Sequence, residues 1–357
     1  MDEYNINEIF KNILNDDNKG IKYIANNLNI SNGTVKRWIE LNKIPTSYNF
    51  EILKLSGIDI NYDNFSYNDK DQFFTSNKTA KYCLKKVKDI LKKYNDNINY
   101  IYIEPSVGSG SFYNILPNNS IGIDIEPQIF NNNNNNNSKI IKKDYIDWKP
   151  DNNNNNKYIV IGNPPFGLRG QLALKFINHS ALFADYVCFI LPQLFESDGK
   201  GVPRKRVKGL NLIHSEKLID EYSIFNYPNG KTLKINCIFQ IWSKNHSNEI
   251  YKIIKINEDK LKIYSLSDGG TPSTTRNKKM FNKCDIYIPS TCFGKHNMKY
   301  YNNFDDLPGR KGYGIVFYIN KQENLKKFRE IEWSEKAFLS TNSAYNIRSS
   351  QIAALFN

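Results

Sequence analysis

The sequence is short of the residues that make covalent staples and metal cages. Its 357 residues hold five cysteines (Cys83, Cys188, Cys237, Cys284, Cys292) and four histidines (His179, His214, His246, His296). No two cysteines form a C-x-x-C pair, their number is odd, and the histidines are scattered. Neither a disulfide framework nor a metal site is expected. Free thiols fit a reducing, intracellular setting, which leaves cytoplasm and nucleus equally open. No apolar run approaches the length that spans a bilayer. The polar, acidic N-terminus does not read as a signal peptide. Acidic residues are in deficit, 36 against 49 Lys and Arg, which gives a formal net charge of +13. Such a surplus favours a polyanionic partner, because Lys and Arg that neutralise phosphates release counterions.

What is present divides by composition into three segments. Residues 1–62 read as short helices. Residues 70–245 alternate β-rich runs with helical stretches, and residues 246–357 mix strands with Gly- and Pro-containing loops. Hydrophobic residues make up 40% of the chain, enough for a real core. Two asparagine runs, Asn131 to Asn137 and Asn152 to Asn156, interrupt the middle segment. Asn is turn-prone and a poor strand or helix former, so both runs read as lengthened surface loops without a role.

The middle segment carries the chemistry. Asn99 to Glu104 is β-branched and aromatic, a good strand. It enters Pro105-Ser106-Val107-Gly108-Ser109-Gly110, whose glycines suit a tight turn that brings backbone close to a ligand. Further strands are expected at 120–124, 139–142, 158–162 and 186–191, with a helix from Gln171 to Phe183. A terminal hairpin is expected from Ser223–Tyr227 and Ile235–Trp242. The alternation predicts an α/β, doubly wound (Rossmann-like) parallel sheet. Glu104, Asp124, Asp144 and Asn163 all fall at carboxyl ends of strands, where such sheets bind ligands.

The region from Asp71 to Lys244 resembles the gamma-class adenine-N6 DNA methyltransferases. Asp71-Gln72-Phe73-Phe74-Thr75, Glu104 to Gly110, Ile121 to Pro127 and Lys143-Asp144-Tyr145 are similar to that family's cofactor motifs. Asn163-Pro164-Pro165-Phe166 matches its catalytic tetrapeptide. The resemblance implies a class I methyltransferase sheet and S-adenosyl-L-methionine as cofactor. It assigns Thr75, together with Ser106 and Gly108 of the Pro105–Gly110 turn, to the methionine end, and Glu104 to its ammonium. Asp124 would bind the ribose, Ile125 and Tyr145 would pack on the adenine, and Asp144 would accept from its amino group. One position departs: Ser76 follows Thr75, where the family usually has Pro.

The tetrapeptide suits attack by an exocyclic amino group, whose lone pair is delocalised into the ring. Acceptors aimed at its hydrogens, the Asn163 side-chain oxygen and the Pro164 carbonyl, would free that pair. Two prolines stiffen the loop. Phe166 offers a face for base stacking, worth about 1–3 kcal/mol. In a duplex the target base must first be flipped out. Asn in the first position favours adenine by resemblance, but similar tetrapeptides act on structured RNA and on protein glutamine, so those substrates stay open. A regulator that binds DNA without catalysis is a further alternative.

Residues 20–40 fit a helix-turn-helix, with Ile21, Ile24, Ala25 and Leu28 on one apolar face. Asn29 sits in the turn and Ser31 at the cap; Val35, Trp38 and Ile39 are expected inward. Asn32, Thr34, Lys36 and Arg37 are expected on the outer, DNA-facing side. The run Lys200 to Lys208 is expected as a mobile loop whose Arg204, Lys205, Arg206 and Lys208 grip phosphates flanking the target base. Strands are expected at 285–289 and 313–318 in the basic C-terminal segment, which by resemblance would read the target sequence. DNA is the expected partner, RNA less so; no membrane or metal is expected, and the oligomeric state is not legible.

Overall fold

The computed structural model describes residues 4–28, 30–58, 60, 65–66, 72–129, 139–151, 156–197, 202–247, 257–272, 274–340 and 344–356. Asn29, Asp71, the run 131–137, most of 152–156, and Lys200 and Gly201 of the basic loop lie outside these.

The first part is helical: α1 (Ile6–Asn15), α2 (Gly20–Leu28), α3 (Asn32–Glu40) and α4 (Asn49–Ser56). Apolar residues at helical spacing bury Phe10, Ile13, Ile24, Leu28, Val35 and Trp38 in one cluster. Ser31 caps α3, its Oγ accepting from the Thr34 N–H at 3.0 Å. Ile39, expected inward, is 41% exposed, because the buried stripe of α3 passes through Val35 and Trp38 only.

The middle part opens with β1 (Phe74–Thr75) and α5 (Asn77–Lys93). Ser76, in the position where the resembling family usually has Pro, caps α5 by accepting from the Thr79 N–H at 3.1 Å. Then follow β2 (Ile101–Glu104), β3 (Ile121–Asp124), β4 (Lys139–Lys142), β5 (Tyr158–Gly162), α6 (Gln171–Ser180), β6 (Tyr186–Pro192) and β7 (Asn211–Lys217). The last are β8 (Ile224–Asn226), β9 (Thr232–Lys234) and β10 (Cys237–Ser243). A seven-stranded sheet runs in the order β4-β3-β2-β5-β6-β10-β7. The strands from β4 to β6 are parallel, while β10 runs antiparallel to both of its neighbours. The order reverses between β2 and β5, which opens a crevice at the carboxyl ends.

The expected terminal hairpin is not formed. The partners of β10 are β6 and β7, while β8 and β9 pair with each other and β8 continues onto β1 in a separate small sheet. The reason lies in burial: every residue of β10 is buried and needs a strand on each side, whereas β8 and β9 are short and partly exposed.

The last part holds β11 (Leu261–Ser267), β12 (Ile286–Pro289), β13 (Thr291–Phe293), β14 (Lys311–Phe317), α7 (Lys321–Glu330), α8 (Trp333–Lys336), β15 (Phe338–Leu339), β16 (Ala344–Asn346) and α9 (Ser349–Phe356). Leu261, Ile315, Phe328, Trp333 and Phe356 pack in a cluster of their own. Polar contacts among the described residues reach the middle part: Leu339 N–H donates to Gln193 Oε1 at 3.2 Å, and Arg348 Nε to Ser197 Oγ at 3.2 Å. Among the described residues no helix is long and apolar enough to cross a membrane.

Candidate active site

Parallel strands β2, β3, β4 and β5 end on one edge, and that edge brings Glu104, Asp124, Asp144 and Asn163 together. The turn after β2 is shaped by two glycines in the left-handed region, Gly108 at φ 49° and Gly110 at φ 82°. A Cβ on Gly108 would stand 3.0 Å from the Phe74 ring, and one on Gly110 would strike Ile129 Cδ1. Pro105 abuts the end of β5, since a Cβ on Gly162 would lie 3.3 Å from its Cδ.

Asp124 organises the turn. Its Oδ2 accepts from the Gly108 N–H at 2.7 Å and its Oδ1 from the Glu126 N–H at 2.7 Å. Burial raises its pKa, against the pull of those two donors. A carboxylate has about four lone-pair sites, so each oxygen can accept once more. Ile125 next to it is half-buried.

Glu104 is 2% exposed, and its Oε2 has no hydrogen-bond partner. Burial pushes its pKa well above the usual carboxylate range; a backbone N–H of Tyr113 opposes this and the charge of Asp124 adds to it. Thr75 is buried at the end of β1, its carbonyl accepting from Ser111 Oγ at 2.6 Å.

The tetrapeptide leaves β5 directly. Ser106 Oγ donates to the Asn163 carbonyl at 3.0 Å and so ties the turn after β2 to the loop after β5. Asn163 Nδ2 reaches the Phe73 carbonyl at 3.5 Å, and Asn163 Oδ1 is buried without a partner. Pro164 is buried and Pro165 half-buried. The Phe166 carbonyl accepts from the N–H groups of Leu172 at 3.1 Å and Ala173 at 3.2 Å, which pins the loop to the start of α6.

Two aromatic expectations need correction. Tyr145 does not face the site: it is 2% exposed, its hydroxyl pairs with Ser180 Oγ at 2.7 Å, and its ring packs among Trp148, Phe176 and His179. The turn that Asp144 caps, with Oδ1 accepting from the Ile146 N–H at 2.9 Å, rolls Tyr145 into the core instead. Phe166 is 3% exposed and meets Phe73 edge-on at 5.7 Å, so its ring is covered rather than open for stacking. Phe73, which also receives Asn163, drew no attention in the sequence beyond its place in a motif.

The basic residues also differ from expectation in part. The described part of the loop is not loose: Val202 and Pro203 are buried, and Arg204 donates to the Ser197 carbonyl at 3.1 Å through Nη2. Arg206 Nη1 donates to Gln171 Oε1 at 2.8 Å, and the Lys208 N–H to Asn178 Oδ1 at 2.9 Å. Lys205 and Lys208 are exposed, as are Asn32, Lys36 and Arg37 on α3. Thr34 is half-buried, with its hydroxyl 2.9 Å from Ser31 Oγ.

No family model and no curated protein sequence matches the chain. Similar solved structures include a candidate RNA methyltransferase from Pyrococcus horikoshii, at 18% identity over 48% of this chain and 87% of that one, TM-score 0.35. Another is a candidate class I S-adenosylmethionine-dependent methyltransferase from Listeria monocytogenes, at 12% identity over 69% of this chain and 88% of that one, TM-score 0.33. A third is magnesium protoporphyrin IX methyltransferase from Synechocystis with its cofactor bound, at 11% identity over 60% of this chain and 96% of that one, TM-score 0.33. The fold class stands on the sheet itself: the strand order and the single reversed strand β10 are those of the expected doubly wound, class I methyltransferase sheet.

Proposed function

We propose that the protein is an S-adenosyl-L-methionine-dependent methyltransferase acting on the N6 amino group of adenine in DNA. The observation that carries this reading is Asn163 Oδ1, an amide oxygen buried without a partner at the head of Asn-Pro-Pro-Phe. A buried acceptor left unpaired costs about 1–3 kcal/mol, so it calls for a donor that arrives later. An exocyclic amino group brings two N–H donors, one for Asn163 Oδ1 and one for the Pro164 carbonyl. Held there, its nitrogen lone pair turns out of the ring plane and becomes nucleophilic. The prolines and the Ser106 bond hold the loop in place beforehand.

The cofactor fits the same edge. The orphaned Glu104 Oε2 offers a counter-charge for an ammonium, and the Pro105–Gly110 turn, with Ser106 and Thr75, takes the methionine end. The spare lone pairs of Asp124 suit a ribose diol, Asp144 suits an amino group at the adenine edge, and Ile125 supplies apolar cover. When bound, the cofactor supplies an electrophilic methyl on a sulfonium. Asn32, Lys36 and Arg37 on α3, the Arg204–Lys208 stretch and the basic C-terminal segment are read as the DNA-contacting surfaces.

The test offers tritiated S-adenosylmethionine with duplex DNA, total RNA or a protein extract, and identifies the labelled product by mass spectrometry. N6-methyladenine in DNA is expected, with a rate about 10²–10³-fold lower in Asn163→Ala at unchanged cofactor affinity. Label in RNA or on glutamine instead would overturn the substrate while leaving the chemistry of Asn163 in place. No label together with no cofactor binding would leave a DNA-binding regulator.

A further inference from the structure

A cavity of about 370 Å³ lies where the helical part, the loop after the tetrapeptide and the C-terminal part meet. Tyr48 lines it from the first, Arg169 and Gln171 from the second, Pro203 from the basic stretch, and Arg348 from the residue just before α9. Two arginines from distant parts of the chain thus line one space. A third is attached to its wall, since Arg206 donates to Gln171 Oε1. Arg348 is held from behind by Ser197, whose carbonyl also takes Arg204. None of the ion pairs among the described residues involves Arg169, Arg206 or Arg348. Cations gathered from distant parts of a chain, without carboxylate partners, repel one another and are best accounted for by an anion that binds among them.

Arg169 carries an independent mark. Its φ is 54°, in the left-handed region, between Gly167 at 64° and Gly170 at 71°. Arginine is uncommon there and pays a steric cost that glycine would avoid. The turn alone therefore gives no reason for this side chain, and strain of this kind collects at ligand sites. Its position is also telling: three residues beyond Phe166, in the loop that the Phe166 carbonyl closes onto α6.

We propose that this cavity is a phosphate site that seats the backbone of the substrate strand beside the target nucleotide, with Arg169 and Arg348 as its positioning residues. The planar fork of arginine matches phosphate oxygens two at a time. A phosphodiester held there would fix the target base relative to Asn163 and would bridge the helical and C-terminal parts to the catalytic loop. The inference rests on nucleic acid being the substrate.

The test compares the full-length wild type with Arg169→Gln, Arg348→Gln and Arg169→Gly. Each Gln variant should flatten the dependence of log K on log salt for duplex DNA by about 0.9, the share of one phosphate contact. Each should also raise the KM for the polymer by about tenfold or more, the loss of a charge-assisted hydrogen bond, at unchanged cofactor affinity. Arg169→Gly should lose binding in the same way while its melting temperature holds or rises, which separates the guanidinium from the turn. Wild-type salt slope and polymer KM in both Gln variants, with DNA methylation intact, would overturn the phosphate site and spare the proposed activity. Full binding by Arg169→Gly would do the same. A wild type that neither binds nor methylates any polynucleotide would instead overturn the substrate reading, and this inference with it.

Discussion

Glu104→Gln tests the candidate cofactor site through its proton. In the free protein Glu104 is buried with Oε2 unpaired, and burial raises its pKa well above the ordinary 4.5. An ammonium beside it would favour the charged form, so a cofactor molecule that binds below the raised value should expel up to one proton. Affinity should then climb about tenfold per pH unit, or about 1.4 kcal/mol, from the bound-state pKa up to the raised one. The stability of the free protein has the opposite sign. A folded-state pKa above the unfolded one gives stability that is complete below about pH 4.5 and is lost, at up to the same slope, as pH rises through the raised value. The Gln variant should show neither slope and should bind the cofactor about 10- to 150-fold more weakly, the 1.5–3 kcal/mol of a charged hydrogen bond. Calorimetry in two buffers of different ionisation heat counts the protons, and urea unfolding against pH reads the stability. An equal proton count in wild type and Glu104→Gln would refute the assignment of Glu104 to the ammonium.

Two further outcomes follow from the geometry of the same edge. Tyr145→Phe should cost about 1 kcal/mol in urea unfolding, the price of its bond to Ser180, and leave cofactor affinity untouched; a weakened cofactor would return Tyr145 to the site. Gly110→Ala should destabilise by at least about 1–2 kcal/mol, because its φ of 82° is costly for an L-residue and its Cβ would strike Ile129. Denaturation with and without cofactor checks this, and wild-type stability would show that the turn relaxes.

Much of the sheet was legible because strands β2, β3, β5 and β6 are dense in Ile, Val, Phe and Tyr. The strand β7 was not. Its Asn-Leu-Ile-His-Ser-Glu-Lys reads as polar, but it lies at the sheet edge, where charge is tolerated. Its Glu216 is paired with Lys86 of α5 at 3.1 Å and lies 3.4 Å from His214 Nε2. Such partners sit far away in sequence or on alternate residues, and no local window reveals them. Tyr145 misled for a different reason. An aromatic after an acidic residue looks the same whether it covers a ligand or fills a core, and only the neighbouring Trp148, also buried, hinted at the core. The orphaned oxygens of Glu104 and Asn163 were beyond reach, because a missing partner is a property of three dimensions.

The reversed strand β10 sets an order of events during synthesis. All seven residues of β6 are buried, yet the next strand made, β7, does not pair with it. The place beside β6 is reserved for β10, which leaves the ribosome after β7, β8 and β9. Until Ser243 has emerged, Tyr-Val-Cys-Phe-Ile-Leu-Pro presents an unpaired apolar edge and β7 has no sheet to join. A nascent chain halted between Lys217 and Cys237 would therefore be an adhesive fragment rather than a half-built sheet, because β7 has no place to dock until β10 is made.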